Sequence, residues 1–487
     1  MSFVNILGFA MISLLAGVWP RARAGLALFA SLLALYWMQP AIPIRNLDFW
    51  LPTASIGLSA CVWIITFRRK ENPVSADRPQ TTFFQRIDLR GNLGTVLILL
   101  GVILAVALSR YLNLAAYLTP STPPELSQVI TGLLILLILM AGLSAVSKHR
   151  WVAPVAILAI LGIFLILKTD ALALAAAGLL RRTTGQSAAL ASAMDIRWLG
   201  FSYLAFRQLH VLRDRMTGRL PECSLREFMT YSVFFPAIAS GPIDRVERFL
   251  TDLRSQASLS APTFLAGGER IILGIFKKFV IADTLAILAL TAVTASQIHS
   301  TFWMWICLYA YAFRIYFDFS GYIDIALGLS RWMGFALPEN FNRPYLQSNL
   351  TAFWNSWHIT LAQWFRSYFF NPLTRALRSS RKLPVWMVIL VAQLATMVLI
   401  GLWHGVTWNF ALWGCWHGVG LFVHNRWGEW SRDRVAKLES RPVWKKAYTA
   451  LSTFITFHYV VLGWVWFALP SVESSGKVFL RLFGLSG

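Results

Sequence analysis

The stretch TAFWNSWHITLAQWFRSYFFNPL, residues 351–373, and the run LIGLWHGVTWNFALWGCWHGVG, residues 399–420, decide how the chain is read. Apolar and aromatic side chains dominate both. Between them they carry three of the chain's eight histidines, His358, His404 and His417, each directly after a tryptophan. An ionisable side chain inside so apolar a run is costly and marks a functional position by default. Histidine changes charge near neutral pH and is the side chain most used to move protons in catalysis.

Outward from that stretch, apolar runs recur from end to end. Of 487 residues, 57% are hydrophobic and 14% charged, with mean hydropathy +0.57; soluble domains carry about a quarter charged residues. The expectation is an all-α, polytopic integral membrane protein forming one membrane domain over residues 1–487. The first apolar run, Phe3 to Trp19, is followed rather than preceded by positive residues, the reverse of a cleavable signal, and reads as a first span. Runs near 25–39, 49–67, 92–112, 128–147 and 151–168 approach the ~20 residues that cross a bilayer. Between 170 and 220, Leu172 to Leu180 is too short to span, and Arg197, Arg207, His210 and Arg213 interrupt the next run. Re-entrant or interfacial helices are expected there. Further runs near 226–241, 264–296, 301–336, 384–403, 405–424 and 447–469 bring the expected number to roughly eleven to thirteen membrane helices, some re-entrant.

The formal net charge is +22, but the basic residues fall in short clusters between apolar runs, among them Arg21/Arg23, Arg68 to Lys70, Arg375 to Lys382 and Arg426 to Lys446. That distribution predicts cytoplasmic loops under the positive-inside bias, including a basic loop at 68–90, with anionic lipid as the electrostatic partner. Nucleic acid is excluded, since no basic face accompanies a soluble fold. Cys61, Cys223, Cys307 and Cys415 are scattered, without metal-ligand spacing or a disulfide framework, so neither a metal nor a bound cofactor is expected.

At helical spacing Trp354, His358, Leu361 and Phe365 share a face, and Asn371-Pro372 reads as the helix stop. Taken alone, His358 is better explained by a hydrogen bond to a neighbouring carbonyl than by catalysis. His404 lies within Gly401-Leu-Trp-His404-Gly405, a GxxxG that permits close helix approach. If one helix carried both His404 and His417, they would point about 220° apart, so at most one would share a cavity with His358. Packing is the better reading of His417. Arg314 and Asp318 stand at i, i+4 and read as an intramembrane ion pair.

Several ordered strings then resemble one family. IYFDFSGYIDIALGLSRWMGF (315–335), LPENFNRPYLQSNLTAFWNSWHITLAQWFRSYFFNPL (337–373) and GLWHGVTWNFALWG (401–414) resemble the membrane-bound O-acyltransferase (MBOAT) superfamily, as do FFPAIASGPIDR (234–245) and LGIFKKFVIADTLA (273–286). The resemblance covers about residues 226–424, read as the catalytic core. It is greatest to the bacterial branch containing alginate O-acetyltransferase and teichoic-acid D-alanyl transferase.

The resemblance implies helices enclosing a catalytic tunnel, with an acyl thioester, acetyl-CoA or acyl carrier protein, approaching from the cytoplasm. His404 matches the family's general base, and His358 the second family histidine. Asn355, Trp357, Trp403, Asp318 and Tyr316 are the expected substrate-binding neighbours. An exported polysaccharide such as alginate is the implied acceptor, reached through an extracytoplasmic, esterase-like partner, with the enzyme in the bacterial inner membrane. Arg366-Ser367 and Pro372-Leu-Thr-Arg375 depart from the pattern in the segment that faces the donor in relatives. Asn355 resembles the D-alanyl branch, and the FKKFVIAD string the alginate branch. Two rivals differ in class. A transporter predicts inverted repeats, which the polar C-terminal and bland N-terminal halves do not show. A non-catalytic acyl conduit would not need both histidines.

Overall fold

The computed structural model describes residues 3–66, 89–255, 258–438 and 440–485. Most of the basic loop expected at 68–90 therefore lies outside the described residues. Among those described there is no β-strand, only an isolated bridge between Phe341 and Trp357; the protein is an all-α membrane protein. The chain divides into two compact units, Met1–Glu269 with Ala326–Leu337, and Arg270–Ile325 with Pro338–Gly487.

In the first unit, α1 (Phe3–Val18), α2 (Arg23–Trp37), α3 (Leu47–Thr66), α4 (Leu89–Leu108), α5 (Leu126–Val146) and α6 (Val152–Lys168) follow the predicted runs closely. Next, α7 (Asp170–Thr183) turns 96° away from α6, the kind of break expected between 170 and 220. The shorter α8 (Phe201–Met216), α9 (Leu225–Val233) and α10 (Val246–Arg254) complete this unit's core.

Arg23, read from sequence as part of a basic loop, is instead buried. Its guanidinium donates to the carbonyls of Asp252 at 2.9 Å, Leu253 at 3.1 Å, and Ser255. These are the acceptors left over at the C-terminus of α10, where a cation also complements the helix dipole. The 234–245 string is core as well: Phe234 packs on Phe249 and Phe335, with ring centroids 5.0 and 4.8 Å away.

In the second unit the 273–286 string contains a π-helical turn, Phe276–Ala282. A Cβ on Gly274 would come within 2.6 Å of the Gly321 carbonyl, so backbones touch here. Buried Asp324 pairs with Lys277 at 2.6 Å and with Arg270, which also reaches Glu339. Asp318 pairs with Lys278. The expected Arg314–Asp318 pair is thus corrected, because Lys278 reaches the carboxylate from another turn of the chain. An acid four residues after its base is also the weaker helical order.

The long α11 (Thr301–Trp332) is followed by α12 (Leu350–Trp354), α13 (Ile359–Phe365), a π-turn at Arg366–Phe370, α14 (Asn371–Ser379), α15 (Val385–His404), α16 (Trp408–Ala436), α17 (Pro442–Ala468) and α18 (Val472–Leu482). Asn371-Pro372 does not stop the helix: the chain passes from α13 through the π-turn, where the Asn371 N–H donates to the Arg366 carbonyl, straight into α14. His404 and His417 lie on two helices. Gly405-Val-Thr407 breaks the run, and the Thr407 side chain caps α16 by accepting from the Phe410 N–H at 3.4 Å.

Helices α15 and α16 run antiparallel with their backbones in contact. A Cβ on Gly401 would fall 2.1 Å from the Phe410 carbonyl, and one on Gly414 would fall 2.5 Å from that of Met397. By length and composition α3, α4, α5, α15 and α17 can each cross a membrane, with the bent α6–α7 pair a sixth candidate. The rest of the expected set is shorter, broken by π-turns and prolines, or charged.

Candidate active site

Continuous helical periodicity predicts His358 in mid-helix, but the structure places it at a break. The chain leaves α12 at Trp354 and re-enters helix at Ile359, with His358 as the N-cap residue in left-handed conformation (φ 43°, ψ 52°). Asparagine, aspartate and histidine tolerate this region best among residues with a Cβ.

The preceding loop holds the break in place. Asn342 N–H donates to the Ser356 carbonyl at 3.0 Å, and Ile359 N–H to that of Asn340 at 3.0 Å. The Asn340 side-chain oxygen accepts from the Thr360 N–H and hydroxyl, at 3.0 and 2.9 Å. Asn340 is fully buried and satisfies N–H groups that the first turn of α13 would leave orphaned. Sequence reading passed over it as one of several turn formers in the loop.

The break aims the imidazole of His358 into a narrow cavity of about 40 Å³, and His404, the last residue of α15, lines the same cavity. Its walls are almost wholly apolar: Phe319 of α11, Trp354, Trp357 and Leu361 around the break, Trp413 of α16, and Trp464 and Phe467 of α17. The His358 ring stands edge-on to Phe319, centroids 4.8 Å apart, and His404 edge-on to Phe467 at 4.8 Å. His358 is buried, and neither ring nitrogen meets a hydrogen-bond partner on another described residue. A buried polar group is normally paired; the ring nitrogens of His417 lack partners too, and what distinguishes His358 is that its ring lines the cavity beside His404. A water needs about 10–15 Å³ of such space, so a hydroxyl or a few water-sized groups fit between the two histidines.

The other sequence candidates separate. Trp357 lines the cavity. Trp403 stands edge-on to both histidines, its ring centroid 6.0 Å from that of His358 and 4.5 Å from that of His404. Tyr316 sits one ring further out, 6.3 Å from Trp357. Asn355 is exposed and accepts from the Arg366 guanidinium at 2.6 Å. Asp318 is engaged by Lys278 and does not line the cavity.

His417 is fully buried behind the wall, 4.9 Å from Trp413 and 5.2 Å from Trp354 between centroids. Packing, as expected, describes its surroundings. Phe319, Trp413, Trp464 and Phe467 were missed. Their signal was faint: Phe410, Trp413 and His417 form an i, i+3, i+7 stripe, as do Trp464 and Phe467 at i, i+3, inside runs that read only as apolar.

Two histidines lining one apolar, aromatic-walled cavity between helices suit proton transfer to or from a hydroxyl. Sequence comparison agrees in class. Residues 198–463, more than half the chain, match the model of the MBOAT, membrane-bound O-acyltransferase family, and the chain belongs to that family.

It is similar to a probable alginate O-acetylase of Pseudomonas syringae, 32% identical over 286 residues, covering 58% of this chain and 51% of the relative. Similarity to a teichoic acid D-alanyltransferase of Streptococcus thermophilus is also 32%, over 288 residues, 56% of this chain and 68% of the relative. A peptidoglycan O-acetyltransferase of Helicobacter pylori is 31% identical over 300 residues, 58% of this chain and 54% of that protein. The chain spans about half the length of the alginate and peptidoglycan relatives and about two thirds of the teichoic acid one.

Proposed function

We propose that this chain is an O-acyltransferase of the bacterial inner membrane. It moves an acyl group, acetyl in the favoured reading, from a cytoplasmic thioester to a hydroxyl of an exported or cell-surface polysaccharide. The hydroxyl belongs either to the polymer itself or to an extracytoplasmic, esterase-like partner that passes the group on. The observation that carries this reading is the shared cavity of His358 and His404.

His404 accepts the proton of the acceptor hydroxyl as its oxygen attacks the acyl carbonyl. The tetrahedral intermediate collapses with loss of the donor's thiolate, which takes that proton from His404 and departs as the free thiol, so no acyl-enzyme is formed. His358, fixed by the left-handed turn, positions the reacting group, and Trp357 and Trp403 hold water away. Tyr316 supports Trp357 from behind. Asn355 and Arg366 lie outside the cavity, where they suit contact with the body of the donor. The cavity admits only small groups, so the bulk of donor and acceptor stays outside it, and we read it as the point where their two routes meet.

D-Alanyl transfer from a carrier protein is the same mechanism with a different donor. It is favoured by Asn355 and by the larger share of the teichoic acid relative that aligns.

The test supplies labelled acetyl-CoA, or an acyl carrier thioester, to membranes containing the wild type or His404→Ala. Label should reach extracytoplasmic glycan or partner protein and fall by at least ~100-fold in the variant. Unchanged label in a folded variant contradicts the assignment of His404.

A further inference from the structure

Helix α17 carries a feature that acyl transfer does not use. Ala450, Phe454 and Phe457 form one side of an apolar groove of about 510 Å³, with Phe313 of α11 and Tyr345 opposite. That volume is in the range of small-molecule sites. Because α17 is long and apolar enough to span, a groove open on its exposed face would meet lipid tails.

The groove also has a charged end. Lys446, Ala450, Phe454 and Phe457 follow at i, i+4, i+8 and i+11, one stripe along the helix. Lys446 is exposed, with Arg441 and Lys445 in the same first turns. From Lys446 to Phe457 the helix rises about 16 Å, close to half the ~30 Å hydrocarbon core. The trough itself, Ala450 to Phe457, rises about 10 Å, so a cation at one end and an apolar trough beyond it match the head and the upper part of one tail of an anionic phospholipid.

The floor of the groove leads to the active site. Tyr345 is buried; its hydroxyl donates to the Ala312 carbonyl at 2.8 Å and accepts from Trp464 Nε1 at 3.1 Å. Trp464 lines the histidine cavity. Tyr345, Trp357 and Trp464 form one aromatic layer, with centroids 5.7 and 5.1 Å apart, between groove and cavity.

We propose that this groove holds an acyl chain of an anionic phospholipid whose phosphate rests on Lys446. The bound tail buttresses the aromatic wall of the cavity from the lipid side.

The test is native mass spectrometry of delipidated full-length protein titrated with phosphatidylglycerol or phosphatidylcholine of identical chains. Wild type should retain phosphatidylglycerol about fivefold better. Ala450→Trp, which fills the groove, should lower retention of both lipids, while Lys446→Glu should abolish only the preference. Lys382→Glu is the control: an exposed lysine just before α15, which the α15–α16 hairpin brings to the same end of the unit, and it should leave the preference intact. Undiminished binding in Ala450→Trp overturns the groove. Equal losses in Lys446→Glu and Lys382→Glu overturn the headgroup site in favour of diffuse surface charge. Lys446 is on the surface, so that comparison stands even if the tryptophan variant fails to fold. Binding is the readout, so the result is independent of whether the chain transfers acyl groups.

Discussion

The buried arginines of the first unit and the buried His358 of the second are held differently. In the first, the buried arginines serve the fold. Arg23 is held by three carbonyls at the end of α10, and Arg207 donates to the carbonyls of Tyr231 and Ser232 at 3.0 and 2.9 Å. Arg181 meets Asp195 at 2.7 Å. In the second unit, His358 is as deeply buried, yet no other described residue bonds either ring nitrogen. Its backbone sits in a conformation that only a capped, cross-braced break supports. Leaving a buried polar group unpaired costs about 1–3 kcal/mol. His417 is buried with both ring nitrogens unpartnered as well, so it is the cavity that His358 shares with His404, and not the missing bond alone, that marks the imidazole as held for a visiting group.

That comparison fails if the second unit is merely loosely packed. Gly414→Val tests this, since its Cβ would fall 2.5 Å from the Met397 carbonyl. The α15–α16 contact should be lost, at a cost of several kcal/mol in the range of severe core changes, read as a collapse of the detergent melting temperature. A tolerated valine would mean the hairpin is slack.

Arg23→Met removes the donor from three carbonyls and should cost about 3 kcal/mol. Measured per folded molecule, acyl transfer should stay near wild type; a selective loss of transfer would show that the first unit's arginines are not purely structural. His358→Asn keeps a side chain that tolerates the left-handed turn and should melt within about 1 kcal/mol of wild type, yet transfer at least ~10-fold more slowly. His358→Val should add about 1–2 kcal/mol of backbone strain. The smallest effect is expected from Lys278→Met, which breaks the half-exposed pair with Asp318 and should shift stability by no more than ~1 kcal/mol.

Much of this was legible in the chain. Helices α2 to α6, α15 and α17 begin and end within a few residues of the apolar runs, because bilayer length and hydropathy fix them. His358, His404 and His417 all stood out as histidines inside apolar runs, and the family resemblance singled out the first two. The break at His358 did not stand out, since Trp354, His358 and Leu361 keep helical spacing straight through it, and the reason for the break, buried Asn340, acts from another segment. Asp318 was assigned to Arg314 because sequence shows neighbours four residues apart and cannot show Lys278, forty positions earlier. Asn371-Pro372 carries the same letters whether a helix ends or continues through it. The turn before α16 was readable in principle, since Thr407 is a standard N-cap three residues before Phe410.

The central claim is that the histidines of the cavity serve chemistry and not the fold. The most direct measurement is the acyl-transfer rate per folded molecule of His404→Gln beside its melting temperature. Glutamine keeps volume and polarity but cannot take a proton at neutral pH. We predict a rate lower by at least ~100-fold with the melting temperature unchanged. A rate near that of wild type would contradict the claim.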